Sequence, residues 1–370
     1  MSEPPSSRPL SRSAAPQSGR SADKPPDAAT DKRGLFERLV QFLSPGPDST
    51  DELMATLADA EQRELIAPES RVGLPYIHIP PERIAAIVIT EKLDSSAKVS
   101  PPDDETRAIA GHLIDFLGHE VKKGRMENDL RPLQAGIGSV ANAVLHGLIA
   151  SPFHDLKMYS EVLQDSTFDL FDADKLVFAS GSSITLSAEK YREVMPHIGD
   201  YKQRLLLRPQ EISNHPEVVR RLGVLCINTA IEFDIYGNVN STHIGGTQMM
   251  NGIGGSGDFA RNGYLSIFVT KSIAKEGKIS SVVPMVSHVD HTEHDVDILI
   301  TEQGLADLRG LAPRERAALI IANCAHPLYR DRLADYYRRA LARGGHTPHV
   351  IGEALSWHMA LSERGTMLPG

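Results

Sequence analysis

LQAGIGSVANAVLHGL, residues 133–148, is the stretch on which the fold turns. It runs from a strand through Gly136-Ile137-Gly138 into a helix whose Ala141, Val144, Leu145 and Leu148 share one face. Glycines at such a turn bare the backbone amides, and amides at a helix start suit an anion. The same residues satisfy GxGxxA, the dinucleotide fingerprint, so on this motif alone a dinucleotide-binding oxidoreductase stays open.

Outward from this stretch, apolar runs of strand length alternate with helical segments from about residue 70, which predicts a largely parallel sheet flanked by helices. Residues 84–90 (IAAIVIT) read as the first buried strand. Further strands are expected at 157–163, 175–179, 223–227, 265–270, 280–285 and 296–301. After Pro101 and Pro102, Asp103 or Asp104 caps a helix with Ile109, Leu113, Phe116, Leu117 and Val121 in one stripe, and Gly124 ends it. DIYGNVN, residues 234–240, carries a Gly-Asn turn between apolar runs and predicts a hairpin.

Residues 1–33 hold only one large aliphatic residue, Leu10, among Ser, Pro, Ala, Arg and Asp, and are expected to be a disordered polar tail. Acids scattered through them argue against a mitochondrial presequence. Residues 34–69 read as a linker with a short amphipathic helix in GLFERLVQFL, stopped by Pro45. Residues 70–370 read as one domain.

A net charge of −9 argues against nucleic acid or an anionic membrane as the main partner, since both need a basic face. No apolar run approaches the roughly 20 residues of a bilayer span, and the first residues do not form a signal peptide, so a cytoplasmic location is expected. Cys226 and Cys324 lie in apolar stretches and read as small core residues in a reducing compartment. His326 stands two positions after Cys324, but nucleophilic catalysis needs spatial rather than sequential neighbours.

A second glycine cluster, NGIGGSGDF at 251–259, also matches GxGxxG, a density that lets amides approach a ligand or a developing oxyanion. Ser256 is not in a GxSxG elbow because position 258 is Asp. Between the two clusters lies YSEVLQD, residues 159–165, where Glu161 is an acid inside an apolar strand, costly to bury unless paired or used. SHVDHTEHD, residues 287–295, concentrates three His and three acids; a polar turn feeding the strand VDILIT accounts for that composition without a metal, and His288 and His294 are expected to be hydrogen-bonded supports.

Taken in order, GIGSVANAV, YSEVLQD, RPQEISNHPEVVRRLGV, AIEFDIYGNVNST, GIGGSGDFARNGYLSIF, SHVDHTEHDVDILITEQGLADLRG and PRERAALIIANCAHPLYRD resemble the motif series of the acetyl-CoA hydrolase/transferase family, across about residues 70–365. The resemblance implies an α/β fold of the class I CoA-transferase type (NagB/RpiA/CoA-transferase-like), with a mixed, largely parallel sheet. It implies transfer of coenzyme A between an acyl-CoA, such as acetyl-CoA or succinyl-CoA, and acetate or a similar short acid. Glu161 would be the nucleophile, passing through a mixed anhydride and a glutamyl-CoA thioester, without ATP or metal.

The same resemblance makes the amides of Ile137 and Gly255 the oxyanion donors and places Asn214 and Glu302 near the reacting acid. Coenzyme A would contact Gln134, Ala135, Gly136, Ile137, Gly138, Ile231, Asn251, Gly255 and Lys275. Family members carry a further α/β domain ahead of this one, and none of its motifs is found here. The cleft would then be completed by a homo-oligomer or a separate subunit. Alternatives are an acetyl-CoA hydrolase and a truncated, non-catalytic CoA-binding domain. An oxidoreductase leaves YSEVLQD and the second glycine cluster unexplained.

Overall fold

Near-continuous apolar runs along the predicted strands bury both of their faces, and a sheet buried on two sides must be sandwiched by helices. The computed structural model describes residues 65–71, 79–92 and 101–369 and has this three-layer arrangement. The chain divides into two units, Met1–Glu52 with His78–Ile87, and Leu53–Ile77 with Val88–Gly370. The first contributes one described element, a 3-10 turn at Pro81–Arg83. The second holds the sheet.

Its eight strands are β1 (Leu133–Ala135), β2 (Leu156–Tyr159), β3 (Leu176–Gly181), β4 (Leu205–Leu207), β5 (Leu225–Thr229), β6 (Leu265–Val269), β7 (Ile298–Thr301) and β8 (Gly304–Asp307). Their spatial order is β8-β7-β6-β5-β1-β2-β3-β4, all parallel except the edge strand β8. The chain builds outward from β1 to β4, then returns to lay β5 on the other side of β1, in the register Leu133↔Leu225 and Ala135↔Ile227. The reversal opens a crevice beyond the carboxyl ends of β1 and β5, where sheets of this kind bind their ligands.

Leu225, Ile227, Leu265, Ile267, Val269, Ile298 and Ile300 point to one face. There they meet helices α1 (Asp104–Lys122), α2 (Ser139–Gly147) and α3 (Asp165–Asp172) through Leu113, Val144 and Phe168. Each fully buried Leu or Ile of this layer contributes about 1.5–3 kcal/mol. The intervening residues Cys226, Phe268 and Leu299 face the other way. They are covered by α4 (Pro216–Leu222), α5 (Ser256–Asn262), α6 (Pro313–Cys324) and α7 (Pro327–Leu341).

Local signals act as expected in several places. Asp103 caps α1 by accepting the Thr106 amide at 2.9 Å, and Gly124 closes it at φ +70°. Glu232–Asp234 and Val239–Asn240 form the predicted hairpin, with Gly237 at φ +96° in its turn. Leu65 is fully buried beside Val218 and Leu222, so residues at the end of the expected linker pack on the domain.

Residues 84–90 correct the sequence reading. Ile87, Val88 and Ile89 are 80%, 83% and 93% exposed, and the segment makes no strand pairing among the described residues. Apolarity alone does not make a strand, which exists through its neighbours' hydrogen bonds. Residues 280–285 do not form one strand: Ser280 ends the Ile279–Ser280 strand paired with Ile273–Ala274, and Val282–Val283 pairs with the 232–234 hairpin strand, both outside the main sheet. The polar tail and the 34–44 helix lie outside the described residues.

Candidate active site

Glu161 is not inside a continuous strand. β2 ends at Tyr159, the backbone bends at Ser160 and Glu161, and Val162–Leu163 restarts in a separate two-stranded ladder with Ser183–Ile184. The break has a cause: the Glu161 carbonyl accepts from the Ser182 amide at 2.7 Å and the Ser182 hydroxyl at 2.8 Å instead of continuing the ladder. The half-buried acid therefore stands at the carboxyl edge of the sheet, one strand from the reversal between β1 and β5.

Two glycine loops approach it. The first, residues 136–138, leaves β1 at that reversal. The Gly136 amide donates to the Ile227 carbonyl at 2.8 Å, and a side chain at Gly136 would stand 2.8 Å from Asn228 Oδ1. Gln164, three residues after the acid, holds both ends of the loop. Its Nε2 donates to the Gly136 carbonyl at 2.9 Å and its Oε1 accepts the Gly138 amide at 3.1 Å. Gly138 adopts φ +132°, which favours glycine, and starts α2. Ile137, at the tip, is 57% exposed.

The second loop, 251–257, touches the acid itself. The Gly255 amide donates to Glu161 Oε2 at 2.7 Å, and Gln210 Nε2 lies 3.5 Å from Oε1. A Cβ on Gly255 would stand against Asn214 Nδ2 and 2.7 Å from Glu161 Oε2, so a side chain there has to displace one of them. Asn214 is buried, and neither polar atom of its side chain has a hydrogen-bond partner among the described residues. An unpaired buried amide costs about 1–3 kcal/mol, a cost that keeps a donor and an acceptor free beside the carboxylate. The Asn214 amide donates to the Gln210 carbonyl at 2.8 Å, and two residues earlier the Ile212 carbonyl accepts the hydroxyl of Tyr159 at 2.7 Å, whose burial raises its pKa and keeps it a donor.

Among the other expected contacts, Gln134 and Asn228 exchange side-chain amide hydrogen bonds at 3.0 and 3.3 Å between β1 and β5. Ala135 is buried, its carbonyl accepting from the Ser160 hydroxyl at 3.3 Å. Ile231 follows β5, its amide bonded to the Asn240 carbonyl at 2.8 Å. Asn251 is exposed at the start of the second loop, and exposed Lys275 occupies a hairpin turn at φ +49°. Glu302 follows β7, four strands from β2, or about 19 Å at the usual strand spacing. Its carboxylate accepts from the Ser272 amide at 2.8 Å, the Ser272 hydroxyl and Gln303 Nε2. Burial would raise its pKa, and these hydrogen bonds outweigh burial and lower it.

Gln164 and Gln210 were not singled out in the sequence. The adjacency of Gln164 to Glu161 in YSEVLQD was the available signal. Thr229, at the end of β5, has a buried hydroxyl without a partner among the described residues, 3.7 Å from where a Gly138 Cβ would stand. In the 287–295 stretch, His288 Nε2 lies 3.3 Å from Asp290 Oδ1, while exposed His294 lies beside Glu293. Both cysteines are free and fully buried, and burial pushes the Cys324 thiol up to about 12 and that of Cys226 well above its usual value.

A largely parallel sheet with helices on both faces and a carboxylate at its carboxyl edge, met by an amide-rich loop, defines an α/β protein whose ligands are expected at the strand reversal. The family profile described as Acetyl-CoA hydrolase/transferase C-terminal domain matches residues 191–337. The succinyl-CoA:acetate CoA-transferase of Clostridium kluyveri is 52% identical over 316 residues, 84% of this chain and 59% of that protein. An acetyl-CoA hydrolase of Schizosaccharomyces pombe is 49% identical over 308 residues, 81% of this chain and 59% of the relative. The structure of RipA from Yersinia pestis superposes with a TM-score of 0.60 at 26% identity, over 70% of this chain and 58% of that one. The chain belongs to the acetyl-CoA hydrolase/transferase family. It spans about three-fifths of the length of the curated relatives it matches.

Proposed function

We propose that this chain transfers coenzyme A from an acyl-CoA, such as acetyl-CoA or succinyl-CoA, to acetate or a similar short carboxylate, with Glu161 as nucleophile. The observation that carries the reading is the 2.7 Å hydrogen bond from the Gly255 amide to Glu161 Oε2. Glu161 attacks the thioester carbonyl, the C–S bond breaks, and a mixed anhydride and CoA thiolate form. The thiolate then attacks the glutamyl carbon, expelling the first carboxylate and leaving a glutamyl-CoA thioester. An incoming carboxylate reverses both steps, so no net energy input is needed.

In this reading the two donors serve different oxyanions. Gly255 already binds the glutamate's own oxygen, so it serves the tetrahedral intermediates centred on the glutamyl carbon. Ile137, exposed at the tip of the first loop, serves those centred on the substrate's acyl carbon. Asn214, adjacent to both Gly255 and Glu161, offers its unpaired amide to the same charge. The phosphates and pantetheine would follow the first loop and the crevice beyond β1 and β5, through Gln134, Ala135, Gly136 and Gly138, with Ile231, Asn251 and Lys275 as further contacts and Glu302 as an outlying polar group.

Hydrolysis is the second reading, favoured by the similarity to the acetyl-CoA hydrolase of Schizosaccharomyces pombe. Intact mass after incubation with acetyl-CoA or succinyl-CoA tests both. A CoA adduct that vanishes in Glu161→Ala supports glutamyl chemistry, and CoA binding without an adduct refutes it. Free thiol released without an added carboxylate marks hydrolysis. The exposed run at Ile87, Val88 and Ile89 favours self-association or a second subunit, as such patches do, and light scattering reads it. The buried free thiols suit a reducing, cytoplasmic setting.

A further inference from the structure

His291 is the most buried histidine of the acid-and-histidine stretch, 2% exposed, with its ring centroid 4.7 Å from that of Phe268. Its backbone bridges to Val239, donating to that carbonyl at 3.1 Å and accepting that amide at 2.8 Å. Its side chain reaches the second glycine loop, where Nε2 lies 3.1 Å from Ser256 Oγ. Ser256 is the residue after Gly255. Its hydroxyl has one proton, which goes to the Ile253 carbonyl at 2.9 Å, so the imidazole must be the donor in the other bond. The chain His291–Ser256–Ile253 thus pins the loop on both sides of the Gly254-Gly255 pair.

Asp290, next in the chain, holds the other end of the loop. Its carboxylate accepts the Ser241 amide at 2.7 Å and the Thr242 hydroxyl at 2.8 Å. The Thr242 carbonyl in turn accepts the Met250 amide at 2.8 Å and the Asn251 amide at 3.3 Å. His288 lies beside the same carboxylate, its ring stacked on His243 with centroids 3.8 Å apart. Within this stretch His288 is engaged with Asp290, and Asp290 and His291 with the loop and the chain leading to it.

We infer that Asp290 and His291 are positioning residues: they grip the second glycine loop at residues 250–251 and 256, and so hold the Gly255 amide on Glu161. The loop needs an external brace because Gly252, Gly254, Gly255 and Gly257 give it no side chains with which to hold itself, and Gly254 sits at φ +54°. Preorganisation of an oxyanion donor has to be supplied by what surrounds it. The catalytic part of this inference rests on the transfer reading above, while the structural part does not.

Hydrogen exchange of the 250–257 segment, in the full chain without ligand, tests the brace directly. His291→Ala and Ser256→Ala remove the same bond from opposite sides, and each should speed exchange there about tenfold, the worth of one hydrogen bond. Exchange in β6 and β7 should stay as in the parent. His291→Gln, which keeps an N–H donor on a flexible side chain, should retain most of the protection. CoA adduct formation should slow in parallel in the two alanine variants.

Unchanged loop exchange in Ser256→Ala overturns the inference even if His291→Ala does not fold. Loss of protection in β6 equal to that in the loop, without rescue by Gln, assigns His291 to the core alone and also overturns it. If the parent forms no adduct but loop exchange responds as stated, the transfer reading falls and the brace stands.

Discussion

The two glycine loops flank one acid yet are held by opposite means. The first grows directly from β1 into α2, and a single side chain, Gln164, clasps its two ends. The second arrives after a hairpin outside the main sheet, touches Glu161 through Gly255, and is fixed by Asp290 and His291 from a segment more than thirty positions further along. A loop that continues a buried strand inherits that strand's rigidity. One that hangs between small elements must be tied from outside, and its chemistry then depends on residues that never meet the substrate.

Glu161→Gln breaks the comparison at its centre: it removes the proposed nucleophile, and adduct formation measured by intact mass should disappear while CoA still binds. Gly255→Ala comes next. A methyl group against Asn214 and 2.7 Å from the carboxylate displaces the donor, and the adduct rate should fall by about 100-fold or more, the usual worth of an oxyanion donor.

Asn214→Ala separates stability from function. Removing an amide already unpaired should leave the melting temperature level or raise stability by about 1 kcal/mol, whereas the rate of adduct formation falls about tenfold or more. Gln164→Ala frees two backbone groups of the first loop, so calorimetry should show a loss of about 1–3 kcal/mol, and CoA affinity should weaken with it. The smallest effect is expected at Cys226, whose thiol lies beneath α5, donating to the Phe259 carbonyl at 3.1 Å. Burial raises its pKa, so a thiol reagent at pH 8 should label it only as fast as α5 opens, and faster in Ser256→Ala than in the parent.

Much of the fold is legible locally. The Asp103 cap, the glycine turn after β1 and the apolar runs LSIFV and DILIT each depend on neighbours within one element, and the structure follows them. Residues 84–90 misled because an apolar run reports hydrophobicity and not the partner that would pair with it. The short strands at 205–207 and 304–307 escaped for the converse reason: each is strand only because β3 or β7 lies beside it.

The chain's order of motifs by itself determined the family and set an acid between two glycine-rich segments, since each is written in contiguous residues of definite type. Tertiary structure alone decided which loop touches the acid and that Asn214 is left unpaired beside it. It decided too that Glu302 stands four strands away, and that His291 rather than His288 or His294 faces the second loop. Those are distances between residues tens to more than a hundred positions apart, fixed by strand order and helix packing, and no local pattern in a sequence encodes them.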